Sequence, residues 1–146
     1  MNRNFRGPSV GGFTLVELMI TVAILALLMT IAIPSYSAFV RRSNRTDATR
    51  TMMQDAQSLQ RCYSQNFTYT PAGGCPTPAG TTTSPDGLYS ITIAIPSSTS
   101  YTITATPRAA QLKDTPCVSF TLLSSGQQSA MDSGATDTTA TCWGSH

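Results

Sequence analysis

Histidine is almost absent from this sequence: His146 is the only one. No recognisable serine or cysteine nucleophile stands with a base beside it. The chain therefore offers no evident acid–base pair, which speaks against an enzyme. Charge is scarce as well, at 11% of residues with a formal net charge of +2. A general polyanion binder needs many cations to neutralise phosphates, and this balance does not supply them. The four cysteines, Cys62, Cys75, Cys117 and Cys142, contain no C-x2-C spacing. With one imidazole to assist them, they do not form a zinc site, and no cofactor or metal is expected. Disulfides are the better reading, and disulfides persist in oxidising compartments.

What the sequence does have is the run "GGFTLVELMITVAILALLMTIAIP", from Gly11 to Pro34. Between Phe13 and Ile33 the only charged residue is Glu17. As a helix this segment is about 30 Å long, the hydrocarbon thickness of a bilayer. A carboxylate inside such a run is costly and calls for a partner or a role. The run is longer than the apolar part of a conventional secretory signal and continues into helix-compatible sequence, so cleavage after it is not expected. Arginines flank both ends: Arg3 and Arg6 before, Arg41, Arg42, Arg45, Arg50 and Arg61 after. Charge bias therefore leaves orientation open. The cysteines decide it, placing everything after Ile33 outside the cytoplasm. The remaining length suits one modest domain.

Pro34 lacks a backbone donor and should kink or loosen the helix. Beyond it Ala48, Met52, Ala56, Leu59 and Tyr63 recur at helical spacing, a face that should pack on a sheet. The charged residues from Arg41 to Arg61 fall largely elsewhere and read as a solvated face. Asp47 and Arg50 form an acid-before-base pair there. Juxtamembrane arginines can also meet lipid phosphates or acidic neighbours. The helix is expected to run to about residue 63, followed by a Gly/Pro/Ser/Thr-rich loop over 64–87. Strands then follow the Asp86-Gly87 turn signal: Tyr89 to Ile95, Tyr101 to Ala105, Val118 to Leu122, and a fourth near Gln127 to Met131. The expected fold is α+β, one long helix whose first half is transmembrane, packed on a three- to four-stranded antiparallel sheet.

Four cysteines allow three connectivities, and sequence alone does not choose. Cys62 with Cys75 and Cys117 with Cys142 is preferred, because each bridge closes a weakly structured region. The second would add roughly 3–4 kcal/mol in the chain-entropy model. Trp143, beside Cys142, reads as a residue packed over the bridge rather than a ligand platform.

The leader "RGPSVGGFTLVELMI" resembles the class III signal of type IV prepilins and pseudopilins, with Pro34 at the usual kink position. The resemblance implies a leader over 1–12, a transmembrane and assembly helix over 13–33, and a periplasmic or extracellular pilin domain over 34–146, with a sheet and disulfide region at 88–146. It implies cleavage between Gly12 and Phe13 by a prepilin peptidase, N-methylation of Phe13, and a filament-assembly role for Glu17. Farther on, "YSITIAI", "YTITATPRAAQLKD", "CVSFTLLSSGQQSA" and "TCW" resemble the PilE-like minor pilins. Such subunits wait in the inner membrane as single-pass proteins with the domain outside. They meet an assembly platform there and then join an extracellular pilus with other pilins and an adhesin. Priming of assembly, adhesion and twitching motility follow from that role. A major pilin, a type II secretion pseudopilin and a DNA receptor of natural transformation are the competing roles. Major pseudopilins carry a calcium loop, of which Asp132 and Asp137 are a thin echo, short of the roughly six to eight oxygens calcium takes. A DNA receptor needs a basic stripe, and after Tyr63 only Arg108 and Lys113 face Asp86, Asp114, Asp132 and Asp137.

Overall fold

The computed structural model describes residues 12–71, 75 and 80–144. Apart from Gly12, the leader lies outside the described residues, as does His146. The chain divides into two compact units, Met1–Ser37 and Ala38–His146. One helix, α1, is assigned over Leu15–Asn66.

In the first unit the apolar residues of α1 are exposed, and none of its most apolar window is buried. The hydroxyls within it are satisfied along the helix: Thr21 Oγ1 donates to the Leu18 carbonyl at 2.8 Å and Thr30 Oγ1 to that of Leu27 at 2.7 Å. Such back-bonding lets a hydroxyl sit in hydrocarbon without an unpaired donor. Pro34 lies inside α1, where its missing N–H leaves a carbonyl one turn back without its helical donor.

In the second unit five strands form an antiparallel meander in the order β1-β2-β3-β4-β5: Gly80–Thr83, Tyr89–Ser97, Ser100–Pro107, Ser119–Leu123 and Gln128–Met131. Period-two alternation sends Tyr89, Ile91 and Ile93 of β2, Tyr101, Ile103 and Ala105 of β3, and Phe120 and Leu122 of β4 inward. They form one core with Ala48, Met52, Ala56 and Leu59 of α1. Each large apolar side chain buried there contributes about 1.5–3 kcal/mol. Tyr89 and Trp143 both meet Phe120 edge-on, with ring centroids 5.8 and 5.9 Å away. Trp143 lies in a short terminal helix, α2, Thr139–Trp143, and donates Nε1 to the Ser129 carbonyl at 2.9 Å.

The sheet has five strands against the three or four expected, and the strand outside that expectation, β1, falls inside the region read as a loop. All four of its residues are exposed, so it carries no apolar alternation to betray it. Threonine's branched side chain still favours an extended backbone, and pairing with β2 from Gly80↔Ile93 to Thr83↔Ser90 does the rest. Helix α1 runs three residues past Tyr63, and Phe67 then takes φ 53°, donating its N–H to the Tyr63 carbonyl at 2.8 Å. The turn into β2 uses Gly87 at φ 73°, a conformation glycine adopts freely.

Burial pushes the Tyr89 hydroxyl well above the usual tyrosine range. A group whose pKa is raised on folding contributes stability that is complete below its unfolded value and is lost as pH rises. The unit should therefore lose stability from about pH 10 upward, as unfolded tyrosine ionises and buried Tyr89 resists. Thermal melts of Tyr89→Phe against the parent are expected to show a shallower alkaline decline. Identical slopes would remove Tyr89 as the cause.

Candidate functional site

At the start of α1, Thr14 precedes the first helical residue and Glu17 stands three positions later. Glu17 Oε2 accepts from the Thr14 N–H and from Thr14 Oγ1, both at 2.9 Å, while Thr14 Oγ1 accepts from the Glu17 N–H at 3.2 Å. This is a capping box: helix-end donors that hydrocarbon would leave unpaired are satisfied by the chain itself. The T-x-x-E spelling of this box, Thr14 to Glu17, stands in the sequence. Gly12 and Phe13 lie just before the cap, exposed.

The second polar feature was not legible at all. Arg45 and Asp47, read with the solvated charges, are both buried. Arg45 reaches Asp114 with two hydrogen bonds, Nε to Oδ2 at 2.8 Å and Nη2 to Oδ1 at 2.9 Å, and donates Nη1 to the Thr141 carbonyl at 3.2 Å. Gln111, fully buried in the 3-10 helix Ala109–Lys113, donates Nε2 to Asp114 Oδ2 at 3.0 Å and to the Arg41 carbonyl at 2.9 Å. Asn44 Nδ2 donates to Gln111 Oε1 at 3.3 Å. One cluster thus ties α1 to the 3-10 helix and α2. Asp47 does not pair with Arg50; its Oδ1 faces the Asp86 N–H at 3.4 Å. Arg45–Asp114 is the ion pair found among the described residues. Arg45 and Asp47 are buried, not solvated, because loop and 3-10 segments cover α1 beyond its sheet-facing stripe, and periodicity reports only that stripe.

The outward face of the sheet is nearly free of charge. Register places Thr81, Thr92, Thr104, Thr121 and Ser129 side by side, one from each strand. Thr81 and Thr92 share a hydroxyl hydrogen bond at 3.0 Å. Neighbouring strands lie about 4.8 Å apart, so these five form a row of evenly spaced hydroxyls. Such a face can donate and accept hydrogen bonds, yet it neutralises no phosphate.

Cys62 is bonded to Cys75 and Cys117 to Cys142, with Cα atoms 5.6 and 5.9 Å apart. The second bridge fastens α2 beside the network of Arg45. Asp132 and Asp137 serve the tail's own turns: Asp132 Oδ1 accepts from the Gly134 and Thr136 N–H groups, both at 2.8 Å, and Asp137 Oδ1 from the Thr139 hydroxyl and N–H. The Thr139 bonds hold the Asp137 carboxyl below its ordinary range. Among the described residues no cluster of three or more His, Cys, Asp or Glu side chains is placed to hold a metal.

These features can be set beside known proteins. Residues 8–33 match the prokaryotic N-terminal methylation motif. Residues 34–121 match the family described as type IV minor pilin ComP, DNA uptake sequence receptor. Among curated relatives, prepilin peptidase-dependent protein D of Escherichia coli is 37% identical over 51 residues, covering 35% of each chain. Fimbrial protein EcpC of Eikenella corrodens is 51% identical over 37 residues, 25% of this chain and 24% of that one. The type IV major pilin protein PilA of Myxococcus xanthus is 41% identical over 56 residues, 38% of this chain and 25% of that one. The chain thus spans between 24% and 35% of the length of these relatives. A long helix whose later turns pack on an antiparallel sheet, a methylation motif at its head and a family match over more than half of the sequence lead to one conclusion: the chain belongs to the type IV pilins, within the ComP minor pilin family.

Proposed function

We propose that the chain is a structural subunit of a type IV pilus, present in a few copies beside another pilin, and does no chemistry of its own. The observation that carries this reading is the helix from Leu15 to Ile33, apolar and exposed throughout. A lone soluble domain does not leave so large an apolar surface open. The inner membrane covers it first, with the disulfide-bonded domain outside, and the helices of neighbouring subunits cover it in the filament. In this reading a prepilin peptidase cuts between Gly12 and Phe13, Phe13 is N-methylated, and Glu17 sets the stagger of subunits. Pro34 supplies a point at which the helix can bend. The assembly platform and an adhesin are its partners in priming, attachment and twitching. Peptide and intact mass spectrometry on sheared filaments and on membranes tests it. A chain starting at methylated Phe13, lacking four hydrogens and present at trace level in filaments, is expected. Retention of residues 1–12 would sink the reading, and abundance equal to the main subunit would make this a major pilin.

The match over residues 34–121 to a family described as a DNA uptake sequence receptor favours a second reading, a DNA-binding pilin. The formal charge count hides part of its support. Buried Arg45 and Asp114 cancel, Asp47 is buried besides, and Arg42, Arg50, Arg61, Arg108 and Lys113 are exposed, so the surface is more basic than the composition by one charge. Retardation of duplex DNA by the full chain across a salt series separates the two. A receptor loses affinity steeply with salt, and a purely structural subunit shows no binding to lose.

A further inference from the structure

Within the second unit, α1 borders a groove on the side of β3, β4 and β5. One hollow of about 450 Å³ lies between Met53, Ala56 and Gln60 of α1, Tyr101 of β3, Leu122 of β4 and Gly126 before β5. A second, of about 320 Å³, is walled by Arg50 of α1, Gln128 of β5 and Trp143 of α2. Met53 lines both and is 38% exposed, so the two form one groove with a methionine at its middle. An unbranched thioether adapts its shape to what lies against it. Tyr101, Leu122 and Trp143 make the floor apolar while staying almost wholly buried themselves. The rim carries the amides of Gln57, Gln60 and Gln128, and the exposed cations Arg50 and Arg61. Among the described residues that line the groove there is no carboxylate, and neither arginine takes part in an ion pair.

We propose that this groove docks an extended acidic segment of a partner protein, with apolar side chains over Met53 and a carboxylate at each arginine. The inference rests on the reading of a subunit that assembles with other proteins, and it adds the chemistry of one such contact. Charge and spacing select the occupant. Arg50 and Arg61 are eleven positions apart on α1, close to three full turns, so they stand on one face about 16 Å apart. An extended chain advances about 3.3 Å per residue, so carboxylates five positions apart span the two cations. The apolar floor takes the side chains between them, and the glutamine amides, donors and acceptors at once, match the peptide groups. A nucleic acid fits less well, because two cations neutralise few phosphates and Tyr101 and Trp143 are too buried for bases to stack on. A second copy offers the pair Asp132 and Asp137, whose carboxylates already hold the turns of their own tail.

The test titrates the full chain, held in phosphatidylcholine nanodiscs, with the blocked peptide Asp-Thr-Leu-Thr-Leu-Asp and with its counterpart ending in asparagine on both sides. NMR reads the methyl of Met53 against that of Met52, its fully buried neighbour. A saturable shift of Met53 with Met52 unmoved, weakened by salt, is expected for the acidic peptide. The asparagine peptide should bind about fivefold more weakly, the modest worth of two exposed ion pairs. The variant R50Q/R61Q, which alters two exposed side chains and no core contact, should lower the acidic peptide to the asparagine level. No shift of Met53, equal binding of the two peptides, or binding unchanged in R50Q/R61Q overturns the proposal. A Met53 shift that grows with chain concentration and ignores peptide means that a second copy fills the groove, and one produced by duplex DNA alone means a nucleic-acid face; in either case the proposal fails. None of these results touches the subunit reading, which falls on retention of residues 1–12 in filaments and membranes.

Discussion

Replacing Asp114 by alanine is expected to destabilise the folded unit by about 3–5 kcal/mol, the usual cost of leaving one member of a buried ion pair behind. Asp114 is 2% exposed and takes two hydrogen bonds from Arg45 and one from Gln111. Without it the Arg45 guanidinium is left with the Thr141 carbonyl, and the 3-10 helix loses its ion pair to α1 and keeps only the Gln111 bond to the Arg41 carbonyl and the Asn44 bond to Gln111. Arg45→Ala should cost a similar amount, by leaving the carboxylate buried and short of donors. The double variant Arg45→Met, Asp114→Leu should recover most of the loss, because no charge then remains to be solvated. Denaturant midpoints of the detergent-solubilised chain measure all three. A cost below about 1 kcal/mol for Asp114→Ala would mean that water reaches the pair and that the cluster is not what fastens the segments together.

The way this pair escaped sequence reading shows where such reading stops. Ala48, Met52, Ala56 and Leu59 announce their helix face by spacing, and Tyr89, Ile91, Ile93, Ile103 and Phe120 announce their strands by alternation. Both are repeating signals tied to a single buried surface. Arg45 and Asp114 lie 69 residues apart, and neither has a periodic partner. Their burial depends on a 3-10 helix and a disulfide-fastened tail folding over α1, which no local pattern encodes. Strand β1 escaped for the opposite reason: it buries nothing, so its threonines look like loop. The bridges follow the preferred pairing, each closing a Gly-, Ser- and Thr-rich stretch, though spacing left the other connectivities open. Glu17 stood out at once as a charge in an apolar run, yet its first partner proved to be Thr14, three residues away.

That local partner allows two roles of Glu17 to be pulled apart. If Glu17 only caps the helix, glutamine is an adequate substitute, since the box accepts Glu or Gln at this position. If it also pairs with the new cationic amine of Phe13, its own or a neighbour's, the charge is indispensable and glutamine fails. Pairing predicts that Glu17→Gln is processed and kept in the membrane but enters filaments at least tenfold less than the parent. An intramembrane cation left without its anion is costly, and subunit stagger loses its register mark. Thr14→Ala provides the converse, weakening the cap while keeping the carboxylate, and should assemble near the parental level. Capping alone predicts the reverse order, with Glu17→Gln near normal and Thr14→Ala impaired. Quantifying each variant in sheared filaments against the membrane fraction reads the order directly. Because all the variants keep Gly12 and Phe13, a difference between them reports assembly rather than cleavage, provided the membrane pool starts at Phe13 in each.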